Sequence, residues 1–202
     1  MLHIPRQHSI VKLDVGTGAI LWQTYTIPDN GGQLGGYSGA AVWGSSPAID
    51  PIRRLVYVGT GQLYNAPQEV LQCQEAQNNQ TTPTQPDQCI GPDIHFDSIL
   101  GISFDTGKIV WSTQLGGYDV FYFVCLVPNN PDCPPGPNLD ADFGEAPMLL
   151  AVIVKGKLRD IVAVVQKSGF AWALDRDNGD IVWFKVRIYN YFLPLLCTYK
   201  VF

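Results

Sequence analysis

Short apolar runs rich in valine, isoleucine and aromatics recur along the chain, each bounded by glycine, proline, asparagine or aspartate. Leu55-Val56-Tyr57-Val58, Asp160 to Val165 and Phe170 to Asp175 are examples. Runs of this length between turn residues predict β-strands. No stretch carries the apolar spacing of an amphipathic helix of three turns, so the pattern predicts an all-β fold.

One pattern occurs three times: Leu13-Asp14-Val15-Gly16-Thr17-Gly18-Ala19-Ile20-Leu21-Trp22, Ile102 to Trp111, and Leu174 to Trp183. In each copy a glycine precedes a tryptophan by four residues, and two apolar residues stand just before the tryptophan. The short polar side chains after the first strand suit a turn, and glycine accepts the positive φ that such a turn needs. Each copy therefore reads as a hairpin that cannot bury both faces alone, so the units must stack. The repeated tryptophan is the largest apolar surface in each unit and is expected to wedge between neighbours.

The glycines Gly18, Gly107 and Gly179 lie 89 and then 72 residues apart. A four-stranded blade needs about 40–50 residues, so two insertions are expected, near residues 62–97 and 119–140. Ser45 to Asp50 with Leu55 to Thr60, and Ala146 to Val152 with Asp160 to Val165, supply the inner strands of the second and third units. The first unit has only Ile10–Leu13 and Ala19–Tyr25. The expected division is a half blade at 1–26, a blade at 41–118 carrying the 62–97 insertion, a loop at 119–140 and a blade at 141–186. An atypical tail follows at 187–202. It is aromatic, lacks the blade pattern and contains Cys197, and its expected origin is a truncated or mis-spliced gene, with a segment covering a sheet edge as the rival.

Composition narrows the function. The 202 residues carry a net charge of −5 and are 46% hydrophobic and 15% charged. That supports a packed core, and the basic patch of a nucleic-acid binder is missing. No apolar run reaches the ~18 residues of a membrane helix, and no signal peptide is read at Met1 to Ser9. Cys73 and Cys89 flank one polar loop, and Cys125 and Cys133 another. They read as two disulfides of an exported protein, with free thiols as the alternative. Asn79-Gln80-Thr81 is a glycosylation sequon.

The ordered motifs carry a resemblance. The Asp/Thr-Gly…Trp repeat is similar to the tryptophan-docking motif of dehydrogenases that depend on pyrroloquinoline quinone (PQQ). Trp43-Gly44-Ser45-Ser46-Pro47-Ala48-Ile49-Asp50 and Val56-Tyr57-Val58-Gly59-Thr60-Gly61 look like that family's segment around its cofactor pocket. Asp140-Ala141-Asp142-Phe143-Gly144-Glu145-Ala146-Pro147 and Gln166-Lys167-Ser168-Gly169 look like its polyvinyl-alcohol-dehydrogenase-like branch. The resemblance covers about Ile10 to Lys185 and implies about two and a half blades of an eight-bladed quinoprotein-type β-propeller.

It also implies oxidation of an alcohol, small or polymeric, with PQQ as hydride acceptor and Ca2+ as Lewis acid. By position, Asp97 corresponds to the family's catalytic base, Trp43 to the floor under the quinone, Lys167 to the cation at the quinone oxygens and Gln62 to a calcium-binding asparagine. Glutamine keeps the carbonyl oxygen on a longer arm, so coordination must shift or be lost. No Cys-x-x-Cys-His haem signature is present, and the resemblance leaves the electron acceptor open.

Plainer expectations stand beside these. Asp97 could end a loop, Lys167 could be a turn lysine and Trp43 could be core. His95 is expected to be an ordinary loop histidine. Asp140, Asp142 and Glu145 lack the ligand set of a calcium loop and read as a solvated turn. Gly31 to Gly36 is not a dinucleotide fingerprint, because its spacing differs and no helix follows. The rival functions are a non-catalytic propeller scaffold and a truncated chain without activity of its own.

Overall fold

The computed structural model describes residues 8–29, 36–43, 46–77, 87–116, 119, 123–133 and 140–186. The sequon at Asn79, all but Gly36 of the glycine loop and the tail with Cys197 lie outside the described residues. In chain order the strands are β1 Ser9–Leu13, β2 Ile20–Tyr25, β3 Ser38–Gly39, β4 Ala48–Asp50, β5 Leu55–Gly59 and β6 Leu63–Asn65. The helix α1 spans Gln68–Gln77. Then come β7 Ser98–Ser103, β8 Ile109–Gln114, a 3-10 turn Phe123–Leu126, β9 Met148–Val154, β10 Lys157–Val165, β11 Phe170–Asp175 and β12 Ile181–Val186.

These strands build two four-stranded antiparallel sheets, β4-β5-β7-β8 and β9-β10-β11-β12. The hairpin β1–β2 forms a two-stranded sheet, and β3 pairs with β6 in another. Strand β5 is buried along its whole length, so it reads as an unbroken apolar run without alternation. Val56, Val58, Leu100 and Ile102 meet Ile10 and Trp22 across the first junction. Tyr57, Ile99, Trp111 and Phe143 meet Val162, Val164 and Trp172 across the second.

The three repeats fold alike. Gly18, Gly107 and Gly179 adopt φ of 74°, 74° and 76°. Each glycine amide donates back to the first turn residue, at 2.8 Å to Asp14, 2.9 Å to Ser103 and 2.9 Å to Asp175. Each hairpin also bulges one residue before its tryptophan, between Lys12 and Leu13, Gly101 and Ile102, and Ala173 and Leu174 on the partner strand. The extra residue bends the strand and aims the indole outward toward the next sheet.

The first two indoles then meet the following repeat. Trp22 Nε1 donates to the Phe104 carbonyl at 3.0 Å, and Trp111 Nε1 to the Arg176 carbonyl at 3.1 Å. The rings press on Gly107 and Gly179, where a Cβ would lie 2.8 Å from Trp22 and 2.5 Å from Trp111. Thr24 and Thr113, two residues after each indole, donate to the carbonyls of the same two glycines. At this end of the sheets Asp50 is buried and accepts from Arg53 and Arg176, both at 3.2 Å. Arg53 also reaches Asp160 and Asp177, tying one sheet to the next.

The 62–97 insertion differs from expectation. It contains β6 and α1, a helix that the apolar pattern does not reveal. Only Val70 and Gln74 of α1 are buried, so its sequence lacks an apolar stripe. Tertiary links compensate: the Cys73–Cys89 disulfide and a 2.6 Å bond from Gln74 Nε2 to Asp87. A second disulfide joins Cys125 and Cys133. Below the helix, Ile27, Ala40, Leu63, Ala66, Ile94 and Phe96 form a separate small core.

Candidate functional site

The four residues singled out from the sequence stand at one end of the sheets, opposite the glycine turns. Trp43 precedes β4, Gln62 follows β5, Asp97 precedes β7 and Lys167 follows β10. Antiparallel pairing carries all these strand ends to the same side. The Asp97 amide donates to the Gly61 carbonyl at 3.0 Å, which sets Asp97 beside Gln62.

Asp97 is 0% exposed, and neither of its carboxylate oxygens has a hydrogen-bond partner. Its backbone is left-handed, at φ 41°, an unusual state for a residue other than glycine. Neighbours hold it there. Leu115 N–H donates to its carbonyl at 2.9 Å, and Ser98 N–H donates to Thr60 Oγ1 at 2.9 Å. Burial pushes the Asp97 carboxyl well above the usual carboxylate range, and the negative fields of Asp119, Asp142 and Asp140 add to this, while Lys167 opposes it.

Lys167 sits in the β10–β11 turn with its side chain 35% exposed. Its ammonium donates to Asp140 at 2.8 Å and to Asp142 at 2.7 Å, and lies 4.4 Å from the centre of the Trp43 ring. That is a cation–π contact. Burial works against the ammonium, but the two carboxylates outweigh it and hold its pKa above the ordinary lysine value.

Asp142 departs from the expected solvated turn: its side chain is 9% exposed. Burial alone would raise its carboxyl. The hydrogen bonds from Lys167 and from the Gln62 amide, the latter at 2.9 Å, outweigh burial and hold it below the usual range. Asp140 keeps more exposure, and burial raises its carboxyl. The reading of the sequence missed Asp142 because its partners lie 80 and 25 residues away. The close Asp140-x-Asp142 spacing was the available signal.

His95 is buried, which lowers its pKa. Its amide donates to Thr26, and it makes no hydrogen bond to the Asp97 carboxylate. With Thr24, Asp93 and Lys108 it lines a groove of about 740 Å³ between β2 and β8. Trp43, Gln62, Asp97 and Lys167 do not line that groove.

The site's fit to a cofactor can be tested on these atoms. A buried carboxylate without a partner calls for a cation or a proton. The buried Gln62, which follows the Gly61 whose carbonyl takes the Asp97 amide, adds a side-chain carbonyl. Two such groups fall short of the roughly six to eight oxygens that calcium takes. Among the described residues, no three His, Cys, Asp or Glu side chains converge as a metal-holding group. The described residues by themselves therefore offer only part of a cation's ligand set.

Comparison with known proteins bears on the fold and the relatives of the chain. No family model matches the chain. A polyvinylalcohol dehydrogenase from Pseudomonas sp. is 29% identical over 190 residues, covering 88% of this chain and 25% of that protein. Its namesake from a Sphingopyxis strain is 32% identical over 187 residues, covering 87% and 24%. Among solved structures, a europium-containing methanol dehydrogenase superposes with a TM-score of 0.61 at 18% identity, covering 92% of this chain and 31% of that one. The last is a likeness of fold. The chain thus spans about a quarter of the length of the curated relatives it matches. Repeated hairpins, stacked four-stranded sheets and these relatives together show that the chain has the fold of part of a quinoprotein-type β-propeller and is similar in sequence to polyvinylalcohol dehydrogenases.

Proposed function

We propose that this chain supplies part of the active site of a PQQ-dependent oxidoreductase that oxidises an alcohol, and that Asp97 is its general base. The observation that carries the reading is the buried, unpartnered Asp97 carboxylate at the same sheet end as Lys167 and Trp43. When bound, PQQ supplies a hydride acceptor and Ca2+ a Lewis acid. The residues of this chain do the rest. Trp43 offers a flat apolar face to a planar ring. Lys167 offers an ammonium to a quinone oxygen. Gln62 offers a carbonyl oxygen to the cation. Asp97 accepts the hydroxyl proton of the substrate.

Asp97 can act as a base only when ionised, and burial disfavours that form. A cation bound beside it would stabilise the carboxylate, so base strength and cation binding are coupled. The two disulfides suit an exported protein. The indole contacts with the following repeat suit the family's docking motif.

The test is PQQ binding with and without Ca2+, followed by quinone absorbance, on a protein extended to the relatives' length. Calcium-dependent binding weakened by Lys167→Ala is expected. Alcohol oxidation should fall about 10³-fold or more in Asp97→Ala, the scale of a lost general base combined with lost positioning. A folded propeller that binds no PQQ would favour a non-catalytic scaffold, a reading supported by glutamine at position 62 and the incomplete ligand set.

A further inference from the structure

Asp142 connects the site. Its Oδ1 accepts from the Gln62 amide at 2.9 Å and its Oδ2 accepts from Lys167 Nζ at 2.7 Å. Its backbone carbonyl accepts from the Lys167 amide at 3.1 Å. Gly61 makes room for the carboxylate, since a Cβ there would collide with Asp142 Oδ1. The same Gly61 takes the Asp97 amide on its carbonyl. One carboxylate therefore links the loop after β5, the turn after β10 and the approach to Asp97.

We propose that Asp142 is the positioning residue of the site, a buried clamp that fixes the Lys167 ammonium over Trp43 and the Gln62 backbone beside Asp97. The proposal rests on the quinone-site reading only for what Lys167 is presented to, an electron-rich oxygen of the cofactor. Asp140 has a different part. Its side chain is 32% exposed, and it meets Lys167 through the ammonium bond. It can exchange for a ligand oxygen without freeing the turn.

The experiment compares Asp142→Asn and Asp140→Asn in the complete polypeptide. With its ammonium 4.4 Å from the centre of the Trp43 ring, the Lys167 side chain should show an upfield-shifted ε-methylene signal in nuclear magnetic resonance spectra. Asp142→Asn should move it to the ordinary lysine position and lower the ammonium's titration midpoint. PQQ binding should weaken about 10- to 100-fold, the scale for removing a residue that orients a ligating group. Asp140→Asn should leave the methylene signal in place. An unmoved signal in Asp142→Asn, or equal effects of the two variants, overturns the proposal.

If the unmodified protein binds no PQQ, the functional reading falls. The Lys167 signals still decide whether Asp142 positions the lysine.

Discussion

Asp97 and Asp142 are both buried carboxylates, and their surroundings push them in opposite directions. The raised Asp97 keeps its proton in the folded state over a range where the unfolded chain has lost it. The unfolded state then binds fewer protons, so stability falls as pH rises from the ordinary carboxylate range to the raised value, and is flat above it. Asp142 does the reverse: its stabilising share is present above the ordinary range and is lost as pH falls through its lowered value. Asp97→Asn should remove the first slope and raise stability at neutral pH by about 1–2 kcal/mol, as relief of a strained functional site does. Urea unfolding at a series of pH values checks this. A variant as pH-sensitive as the parent in that window, or less stable, would contradict it.

At the scale of elements, the glycine turns offer a matched pair. Gly179 has φ 76° and carries the Trp111 ring on its surface, whereas Gly18 has φ 74° and nothing within 4 Å of a would-be Cβ. Gly18→Ala should cost only the left-handed backbone, about 1–2 kcal/mol. Gly179→Ala adds displacement of the indole and should cost about 1–3 kcal/mol more, the scale of overpacking. Denaturation midpoints of the two variants compare them directly; equal losses would mean that Trp111 is not held by that surface. The hairpins themselves were legible because turn chemistry and apolar runs repeat in the sequence. Their bulges were not, because an extra residue such as Val110 looks like any other strand residue. Helix α1 was hidden for another reason: a disulfide and the Gln74–Asp87 bond hold it, where most helices rely on an apolar stripe. Trp43, Gln62, Asp97 and Lys167 were singled out through family motifs, and the strands bring them to one end of the sheets. Asp142 needed the fold, because its partners meet it only once β5 and β10 are set in neighbouring sheets.

For the whole molecule, the outer faces matter most. Trp22 and Trp111 are covered by the next repeat, but Trp183 is 36% exposed, with Phe184 and Val186 open beside it. At the other side, Leu13, Ile20 and Leu21 of the first hairpin are exposed. Apolar sheet surface of this kind drives association. The 202-residue chain made alone should form concentration-dependent oligomers or aggregates in sedimentation runs. A soluble monomer that unfolds in one cooperative step would contradict this.

The indole bonds also have a direction. Trp22 donates forward to Phe104 and Trp111 forward to Arg176, each toward the repeat that follows in sequence. The first two units thus read their successors' turns by a backbone carbonyl and a glycine, neither of which depends on which side chains the successor carries elsewhere. The linkage works as a standard coupling between modules. A whole unit, cut from one turn to the next, keeps this link to its neighbours when glycine and tryptophan travel together, while the Arg53 and Arg176 ion pairs must be carried along as well. Propellers built on this coupling are free to diverge in their loops and sites, and to change size in steps of one blade.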